Sequence, residues 1–463
     1  MNENDSNALE YNRREFLKGG SVATLMTMLG GVELFAQTNA APAGETKTPA
    51  VKINVAVIGL GAWGREIVNT LARMPQATPP IDAKIVSVCD TYQPFVTRTA
   101  KLAPGAAQTT DYKSILDNKD IKAVIVATPT HQHKEIVLAA LKAGKHVYCE
   151  APLAGSIEDA REIALAAKAA RQLVFQSGLQ MRSDPQRHFL LPFIRSGALG
   201  KTVLARAQSH KKTNWRTASS NPAQEKALNW RLSRATSLGL VGEIGSHQID
   251  QAGWFLNALP TAVTGFGSLA FWKEDRDVPD TVQAVLEFPG DVRMIYDATL
   301  VNSFDGEYEM LYGSDAAVLM RDGKAWMFKE VDSPLLGWEV YADKLTFYKE
   351  TGIALVAGKS KAPPANEQPK PAQDEPFTNT PLSFALGNFL RNSVDLDTAA
   401  EDYKASYGED DLEGMMEHLS AVPRRAAASY LEGFHAVVTA VKANEAILGN
   451  KRIELKPEWY QLA

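Results

Sequence analysis

A glycine motif near the start of the chain has the spacing that holds a dinucleotide pyrophosphate. The pattern G-x-G-x-x-G occupies residues 59–64, between the β-branched run Lys52–Ile58 and the helically spaced segment Arg65–Met74. In a strand–turn–helix unit of this kind, the first glycine makes the turn, the second admits the phosphates and the third packs helix against strand. The helix N-terminus then offers free amides and a positive dipole to the phosphates.

An aspartate completes the dinucleotide pattern. Asp90 follows the next predicted strand, Ala83–Cys89, and no arginine stands at the three positions after it. An acid here accepts hydrogen bonds from ribose hydroxyls and repels a 2′-phosphate, so the sequence favours NAD over NADP. The alternative is that Asp90 serves only a turn or a helix N-cap.

The segments that follow keep alternating between strand and helix. Ile121–Ala127 and His146–Cys149 are predicted strands, Lys134–Ala143 is a predicted helix, and Ser156 opens an alanine-rich helix with a capping box. This alternation predicts a parallel sheet that binds ligands at the carboxyl ends of its strands. We therefore expect a Rossmann NAD-binding domain over residues 51–175.

A second domain is predicted over residues 176–430. Its four clearest strands have alternating apolar residues and glycine or proline boundaries; they are Val203–Ser209, Ala262–Ala270, Thr281–Phe288 and Arg293–Thr299. Trp215, Asn229, Trp230 and Arg231 suit a sugar, whose C–H faces stack on aromatic rings, although buried core tryptophans are the commoner explanation. Residues 357–376 are rich in Pro, Lys and Ala and predict an extended insertion.

Several motifs together resemble the Gfo/Idh/MocA oxidoreductases, the family of glucose–fructose oxidoreductase and inositol dehydrogenase. They are the glycine motif, residues 127–129 with His133, the strand entering residues 150–152, and residues 242–250. The resemblance covers most of residues 52–328 and resumes at 432–455, where it implies a helix that closes the Rossmann domain. It implies an α/β protein whose second domain carries an open, mainly antiparallel sheet. One face of that sheet would cover the nicotinamide, and the other would join subunits of a homo-oligomer.

The same resemblance assigns the site residues. It implies that His247 takes the proton from a substrate hydroxyl, a task that suits a group whose pKa lies near neutrality. Glu150 and Gln180 would approach the nicotinamide end of the cofactor. The alternative for His247 is an ordinary hydrogen-bonded helix histidine. The other implied NAD-binding residues are Gly59, Gly61, Ala62, Trp63, Gly64, Asp90, Thr128, Pro129 and His133.

Two positions depart from the family pattern. Ala151 stands where the family commonly has a lysine that assists proton transfer or polarises the substrate oxygen, and Glu243 stands where it has aspartate. We expect Glu243 to keep the negative charge of that aspartate in the catalytic motif. Lys211 or Lys212 is a candidate for the missing cation, and a solvated basic loop is the alternative.

The first 43 residues predict an export signal and linker. Arg13 and Arg14 precede a modest apolar run and a small-residue segment, which resembles a twin-arginine signal cleaved between Ala36 and Ala43. An N-terminal amphipathic helix is the alternative. Since this route moves folded proteins, we expect the twin-arginine machinery as a partner, a periplasmic or otherwise exported location, and a tightly held NAD recycled within the site.

Composition excludes several other classes. A formal net charge of −5 argues against a general nucleic-acid binder. The two cysteines do not make a disulfide framework, and no Cys/His spacing predicts a metal. The apolar run of the signal is too short to anchor well, so we expect no membrane span in the mature protein.

The leading functional hypothesis is an NAD(H)-dependent oxidoreductase that acts on a secondary hydroxyl of a sugar or glycoside, including formation of a 3-keto sugar. One alternative is an NAD-dependent glycoside hydrolase that works through transient oxidation and elimination. Another is a non-catalytic sugar- or nucleotide-binding protein.

Overall fold

The computed structural model describes residues 51–77, 80–337, 344–347, 350–355 and 377–462. The predicted export signal (1–43) and the predicted insertion (357–376) lie outside the described residues. The described chain forms two sheets, one of six strands and one of ten.

The first sheet is parallel throughout and has the strand order β3-β2-β1-β4-β5-β6. This order places the switch between β1 and β4, where an open α/β sheet binds ligands. The strands and their helices are β1 Val51–Ile58, α1 Ala62–Arg73, β2 Ile81–Cys89, α2 Gln93–Thr99, β3 Ala107–Thr109, α3 Lys113–Asp117, β4 Ala123–Val126, α4 His133–Lys142, β5 His146–Cys149, α5 Ile157–Ala169 and β6 Phe175–Ser177.

The second sheet is mainly antiparallel, with one parallel pair, β7 and β10. Its strand order is β14-β15-β13-β12-β11-β7-β10-β9-β8-β16. The elements after β6 are α6 Pro185–Arg195, β7 Thr202–His210, α7 Pro222–Leu228, α8 Gly239–Glu243, α9 Gly245–Leu256, β8 Ala262–Ser268, β9 Thr281–Phe288, β10 Val292–Thr299, β11 Glu307–Gly313, β12 Ala316–Arg321, β13 Lys324–Lys329, β14 Lys344–Phe347, β15 Glu350–Leu355, α10 Pro381–Tyr407, α11 Leu412–Ala421, α12 Tyr430–Gly449 and β16 Arg452–Glu454.

Helices α10 and α11 differ from the expected domain assignment. The range 176–430 places them in the second domain, yet Leu386, Phe389 and Leu419 belong to the core that includes the Rossmann strands β1, β2 and β5. The Gln176 side chain also donates to the Ala385 carbonyl. The reason is that α10 buries apolar residues against one face of the parallel sheet, which needs a helical layer on both faces.

Helix α12 joins the two domains. It contacts α5 of the Rossmann domain and β8 of the second sheet. A capping box between Ser429 and Glu432 begins the helix. Asn450, in the left-handed conformation, follows Gly449 and ends the helix. This shared helix fixes the two sheets relative to each other.

In the part of the chain that the structure describes, no helix is both long enough and apolar enough to cross a membrane. Nor do the described residues include a cluster of side chains that could hold a metal ion.

Candidate active site

The three motif glycines occupy three different environments after β1. Gly59 has a φ of +94°, and a Cβ there would lie 2.5 Å from the backbone of Ala127, the residue that follows β4. A Cβ on Gly64 would lie 1.9 Å from the Gly59 carbonyl oxygen, so this glycine permits the close approach of α1 to the turn. A Cβ on Gly61 would meet nothing within 4 Å. The first and third glycines are therefore needed by the fold, whereas the second borders open space where a phosphate can approach.

Helix α1 presents its N-terminus at this open space. Gly61 is its N-cap residue and makes no side-chain capping bond, and the first turn contains no acidic residue. The amides of Ala62 and Trp63 therefore remain available to an anion, whose charge the helix dipole also favours.

Asp90 ends β2 and closes the glycine turn. Its two carboxylate oxygens accept from the amides of Leu60 (2.7 Å) and Tyr92 (2.8 Å). Burial raises the pKa of Asp90, and these two amide hydrogen bonds oppose the rise. Asp90 thus stabilises a turn, as one of the two interpretations of the sequence expected. It also lies beside the glycine motif, where the other interpretation expects the ribose.

The His133 ring contacts the backbone of the loop after β4 and stabilises it. Its Nε2 lies 2.8 Å from the Thr128 carbonyl oxygen, and its Nδ1 lies 3.1 Å from the Pro152 carbonyl oxygen. The side chain is 1% exposed, and burial lowers its pKa to about 4. The expected place of His133 beside the ribose therefore does not match the structure, because its ring lies under the loop. Thr128 and Pro129 form the loop itself.

Two buried polar atoms at this edge have no hydrogen-bond partner within the described residues. They are Thr128 Oγ1 and Glu150 Oε1. Burial raises the pKa of Glu150 to about 7, and the nearby Trp63 side chain and Ala151 amide oppose the rise. The Trp63 side chain is 39% exposed and contacts this carboxyl group.

These observations fit a bound dinucleotide. The open space at Gly61 and the uncapped amides suit a pyrophosphate, Asp90 suits a ribose, and the unpaired atoms of Thr128 and Glu150 suit the polar groups of the nicotinamide half. The residues present are therefore able to hold NAD.

His247 lies in the first turn of α9, on the second domain. Its amide donates to the Ile244 carbonyl, and within the described residues its half-buried imidazole has no hydrogen-bond partner. Burial alone lowers its pKa to about 4. A neutral, unpaired imidazole is able to accept a proton, and this geometry disagrees with the alternative of a satisfied structural histidine.

Glu243 links the His247 motif to the Rossmann domain. One carboxylate oxygen accepts from Thr130 Oγ1 (3.1 Å) on the loop after β4, and the other accepts from Ser237 Oγ (3.2 Å) and the Leu238 amide (3.3 Å). Burial raises its pKa, and the charge of Arg231 is the largest opposing influence. Glu243 therefore positions His247 against the cofactor crevice.

Comparison with known families agrees with this geometry. The profile of the oxidoreductase family with an NAD-binding Rossmann fold (GFO_IDH_MocA) matches residues 53–177. The profile of the GFO/IDH/MocA C-terminal domain matches residues 192–318, and the two matches together cover more than half of the chain. The chain belongs to the Gfo/Idh/MocA oxidoreductase family. Its first domain is the family's NAD-binding Rossmann domain.

Curated relatives in the Gfo/Idh/MocA family match about half of the chain. Levoglucosan dehydrogenase of Pseudarthrobacter phenanthrenivorans is 30% identical over 43% of this chain and 50% of its own length. Inositol 2-dehydrogenase 2 of Saccharopolyspora erythraea is 27% identical over 51% and 63%. The 2,7-anhydro-N-acetylneuraminate hydratase of Escherichia coli is 30% identical over 51% and 59%. The chain thus spans between half and two thirds of the length of these relatives.

Solved structures share the complete fold. An oxidoreductase domain protein from Kribbella flavida superposes with a TM-score of 0.64 at 19% identity, covering 88% of this chain and 100% of its own. Levoglucosan dehydrogenase in complex with NADH gives a TM-score of 0.61 at 18% identity, covering 88% and 99%. At these identities the similarity shows the Gfo/Idh/MocA fold alone.

The remaining candidate residues, Lys211 and Gln180, lie at different places. Lys211 is exposed just beyond β7, and its charge acts on Glu307 of β11. Gln180 lies partly buried in a single 3-10 turn, Gln180–Ser183. Arg182 in that turn forms a bidentate ion pair with Asp250 (2.8 Å for each bond). The pair borders a cavity of about 300 Å³ between α9 and α12, on the far side of α9's first turn.

One arginine near the catalytic motif was not assigned a chemical role from the sequence. Arg231 was noted only as part of an aromatic and polar group, but its charge acts directly on Glu243. The adjacent Trp230 ring lies 6.1 Å from the His131 ring, measured between centroids. The signal in the sequence was the run Asn229–Arg231 shortly before the His247 motif, although sequence alone does not reveal which basic residue turns inward.

Proposed function

We propose that this protein is an NAD-dependent oxidoreductase that acts on a secondary hydroxyl of a sugar or glycoside. The observation that carries the proposal is the unpaired imidazole of His247, which Glu243 ties to the loop of the NAD crevice. The printed names of relatives, levoglucosan dehydrogenase and inositol 2-dehydrogenase, support a polyhydroxylated substrate.

When held by the glycine turn and Asp90, NAD⁺ would supply the hydride acceptor for the carbon that bears the hydroxyl group. His247 accepts the hydroxyl proton, and its lowered pKa keeps it neutral and ready at physiological pH. Glu243, the last residue of α8, accepts from Thr130 and so ties the segment just before the His247 helix to the Rossmann loop.

A glycoside hydrolase that uses transient oxidation is the second candidate. The relative named 2,7-anhydro-N-acetylneuraminate hydratase favours it, because that name denotes addition of water to a sugar derivative. The two candidates differ in net chemistry, since a dehydrogenase changes the redox state of the sugar and a hydrolase releases sugar without net use of NAD.

The test is to incubate the purified protein and added NAD⁺ with levoglucosan, myo-inositol and a set of glycosides, and to identify products by mass spectrometry. A keto product together with NADH supports the dehydrogenase. Free sugar without NADH supports the hydrolase. Sugar binding without either product, unchanged in His247→Asn, would favour the non-catalytic alternative.

We also propose that the protein is exported by the twin-arginine route with its cofactor inside. The proposal rests on the paired arginines before the apolar run and on the absence of a free nucleotide pool outside the cell. The expected result is that protein purified from the periplasm releases about one NAD(H) per chain on denaturation. Cytoplasmic retention, or release of no nucleotide, would contradict it.

The outer face of the second sheet is the proposed subunit interface. Val285 and Ile295 lie opposite each other on β9 and β10, are 37% and 38% exposed, and share this face with Phe266, which is 55% exposed. Apolar side chains grouped in this way favour a partner surface. Light scattering should therefore report an oligomer, and a Val285→Lys, Ile295→Lys variant should be smaller.

A further inference from the structure

Two tryptophan rings lie close to an arginine side chain in the segment between β7 and α8. The guanidinium carbon of Arg231 lies 4.6 Å from the ring centroid of Trp230 and 5.7 Å from that of Trp215. Both distances are within the range of cation–π attraction. We call this group, Trp215, Trp230 and Arg231, the arginine stack.

The Arg231 side chain lacks the polar partners that a half-buried arginine normally has. Within the described residues, no carboxylate forms an ion pair with Arg231 and no oxygen accepts a hydrogen bond from it. Its guanidinium carries five N–H donors in a fixed plane. Both rings lie within cation–π distance of the guanidinium, whose N–H groups remain able to donate to oxygen atoms of a ligand.

The arginine stack faces the cleft between the two domains. The charge of Arg231 acts on Glu243, which precedes His247 by about one helical turn. On the other side, Trp230 lies beside His131 of the Rossmann loop that carries Thr128 and Pro129. Glu243 and His131 therefore lie beside the stack, and the charged Arg276 side chain donates to the Asn214 carbonyl next to Trp215.

Surrounding bonds hold the arginine stack in place. Trp215 has a φ of +58°, which is a strained conformation for a bulky residue. The Asn229 side chain accepts from the Thr217 amide and donates to the Thr217 carbonyl, so it ties the Trp215 segment to the Trp230 segment. Thr236 Oγ1 donates to the Trp230 carbonyl (2.6 Å). Strain that is retained by such a network is typical of ligand sites.

We propose that Arg231 donates to the oxygen on the reacting carbon of the sugar and supplies the positive charge that Ala151 cannot supply. The Trp215 and Trp230 rings would pack against the C–H face of the same sugar. This inference rests on the proposed function. In oxidation the C–H bond breaks with its electron pair going to NAD⁺, the O–H proton goes to His247, and the C=O bond forms. Arg231 stabilises the negative charge that develops on the oxygen.

Arg231 and lysine differ in one testable respect. A guanidinium does not lose its proton in proteins. Deprotonation of Arg231 therefore cannot lower the activity of the wild type at high pH. A lysine at the same place loses its charge at high pH. We therefore expect Arg231→Lys to keep part of the activity and to acquire a new fall in kcat/KM at alkaline pH, which a merely structural residue would not produce.

The experiment compares Arg231→Met, Arg231→Lys and the double variant Arg231→Met, Ala151→Lys with the wild type. Lys226→Met, which removes an exposed positive charge from nearby α7, is the matched control. Each protein is loaded with NAD⁺, its NAD⁺ affinity is measured by calorimetry, and its turnover of levoglucosan, myo-inositol and methyl glucosides is followed across pH. Melting temperature reports on folding.

The expected result is a fall in kcat of about 100-fold for Arg231→Met, with NAD⁺ affinity unchanged, because loss of one donor to a developing oxyanion has that effect. Restoring a cation with Ala151→Lys should recover about tenfold, whereas Lys226→Met should behave as wild type. Arg231→Met activity within about threefold of an active wild type would overturn this inference and leave the proposed function standing. A wild type that binds NAD⁺ but oxidises no probe would contradict both.

Discussion

At the residue scale, the proposed chemistry depends on side chains that keep a polar atom without a hydrogen-bond partner. His247 has no hydrogen-bond partner within the described residues, and Glu150 keeps one oxygen unpaired. His133, in contrast, has both ring nitrogens against backbone carbonyls. Burial lowers the pKa of both histidines to about 4, yet only His247 is placed to exchange a proton with a ligand.

The pH dependence of turnover should reveal the neutral state of His247. A base acts only when unprotonated, and its pKa of about 4 means that kcat/KM for the sugar should stay level as pH falls from 8 to about 5. His247→Asn should lower kcat by about 100- to 10,000-fold. The measurement is steady-state kinetics at saturating NAD⁺ in a Glu150→Gln background, which removes the carboxyl group whose pKa lies near 7. An acid limb near the ordinary histidine pKa of about 6.5 would show that burial does not govern His247.

Glu150 should couple cofactor binding to pH. Its pKa of about 7 means that the carboxyl is neutral in mildly acidic solution and becomes negative as pH rises. If it faces the nicotinamide end, the negative charge attracts the positively charged oxidised ring, so NAD⁺ affinity should increase between about pH 6 and 8. Calorimetric titration at several pH values measures this change. Glu150→Gln should abolish the increase, and an equal increase in the variant would remove Glu150 from the site.

At the element scale, the turn between β1 and α1 separates a folding role from a binding role. Gly64 and Gly61 are only three residues apart, but an added methyl group meets a backbone oxygen at the first and open space at the second. The two positions therefore form a matched pair for alanine substitution.

Gly64→Ala should lower the free energy of unfolding by about 3 kcal/mol, because the methyl group forces α1 away from the turn. Gly61→Ala should change it by less than about 1 kcal/mol, since its φ of −57° suits alanine. NAD⁺ affinity should nevertheless fall at least about tenfold in Gly61→Ala, because the methyl group occupies the phosphate path. Chemical denaturation and calorimetry test the pair. Normal NAD⁺ affinity in a folded Gly61→Ala protein would place the phosphates elsewhere.

Most elements near the cofactor could be predicted from sequence periodicity. The strands before Gly59 and Asp90 and the strands Thr281–Phe288 and Val292–Thr299 agree with the expected ones within about two residues. Strand β3 was missed because it has three residues and no buried side chain. The full length of the 27-residue helix α10 could not be predicted, because the apolar period fades in its acidic second half, where most residues are partly or fully exposed.

The site was predicted less completely than the fold. The glycine motif and His247 carry signals in their local spacing, so they could be found. The placement of Arg231 depends on the path of a long segment from β7 to α8 and on the packing of Trp215 against it. Sequence spacing instead indicates Lys211 or Lys212, because this basic pair begins the first long segment of the second domain after β7. The distinction requires tertiary contacts, which residue spacing does not contain.

At the scale of the whole molecule, the two domains meet beside the residues for which we propose catalytic roles. Thr130 and Glu243 bond directly across the boundary, and α12 packs on both domains behind them. The Rossmann domain holds the cofactor, and the second domain supplies His247 and the arginine stack. Neither domain alone contains the complete site, so cofactor binding and substrate oxidation are expected to depend on this alignment.

A crystal structure of the protein with NAD⁺ bound would test this arrangement most directly. We predict that the pyrophosphate lies on the amides of Ala62 and Trp63, and that the nicotinamide faces the cleft occupied by His247 and Arg231. A dinucleotide bound elsewhere, or a nicotinamide turned away from the His247 imidazole, would contradict the central claim that the glycine turn and this histidine form one active site.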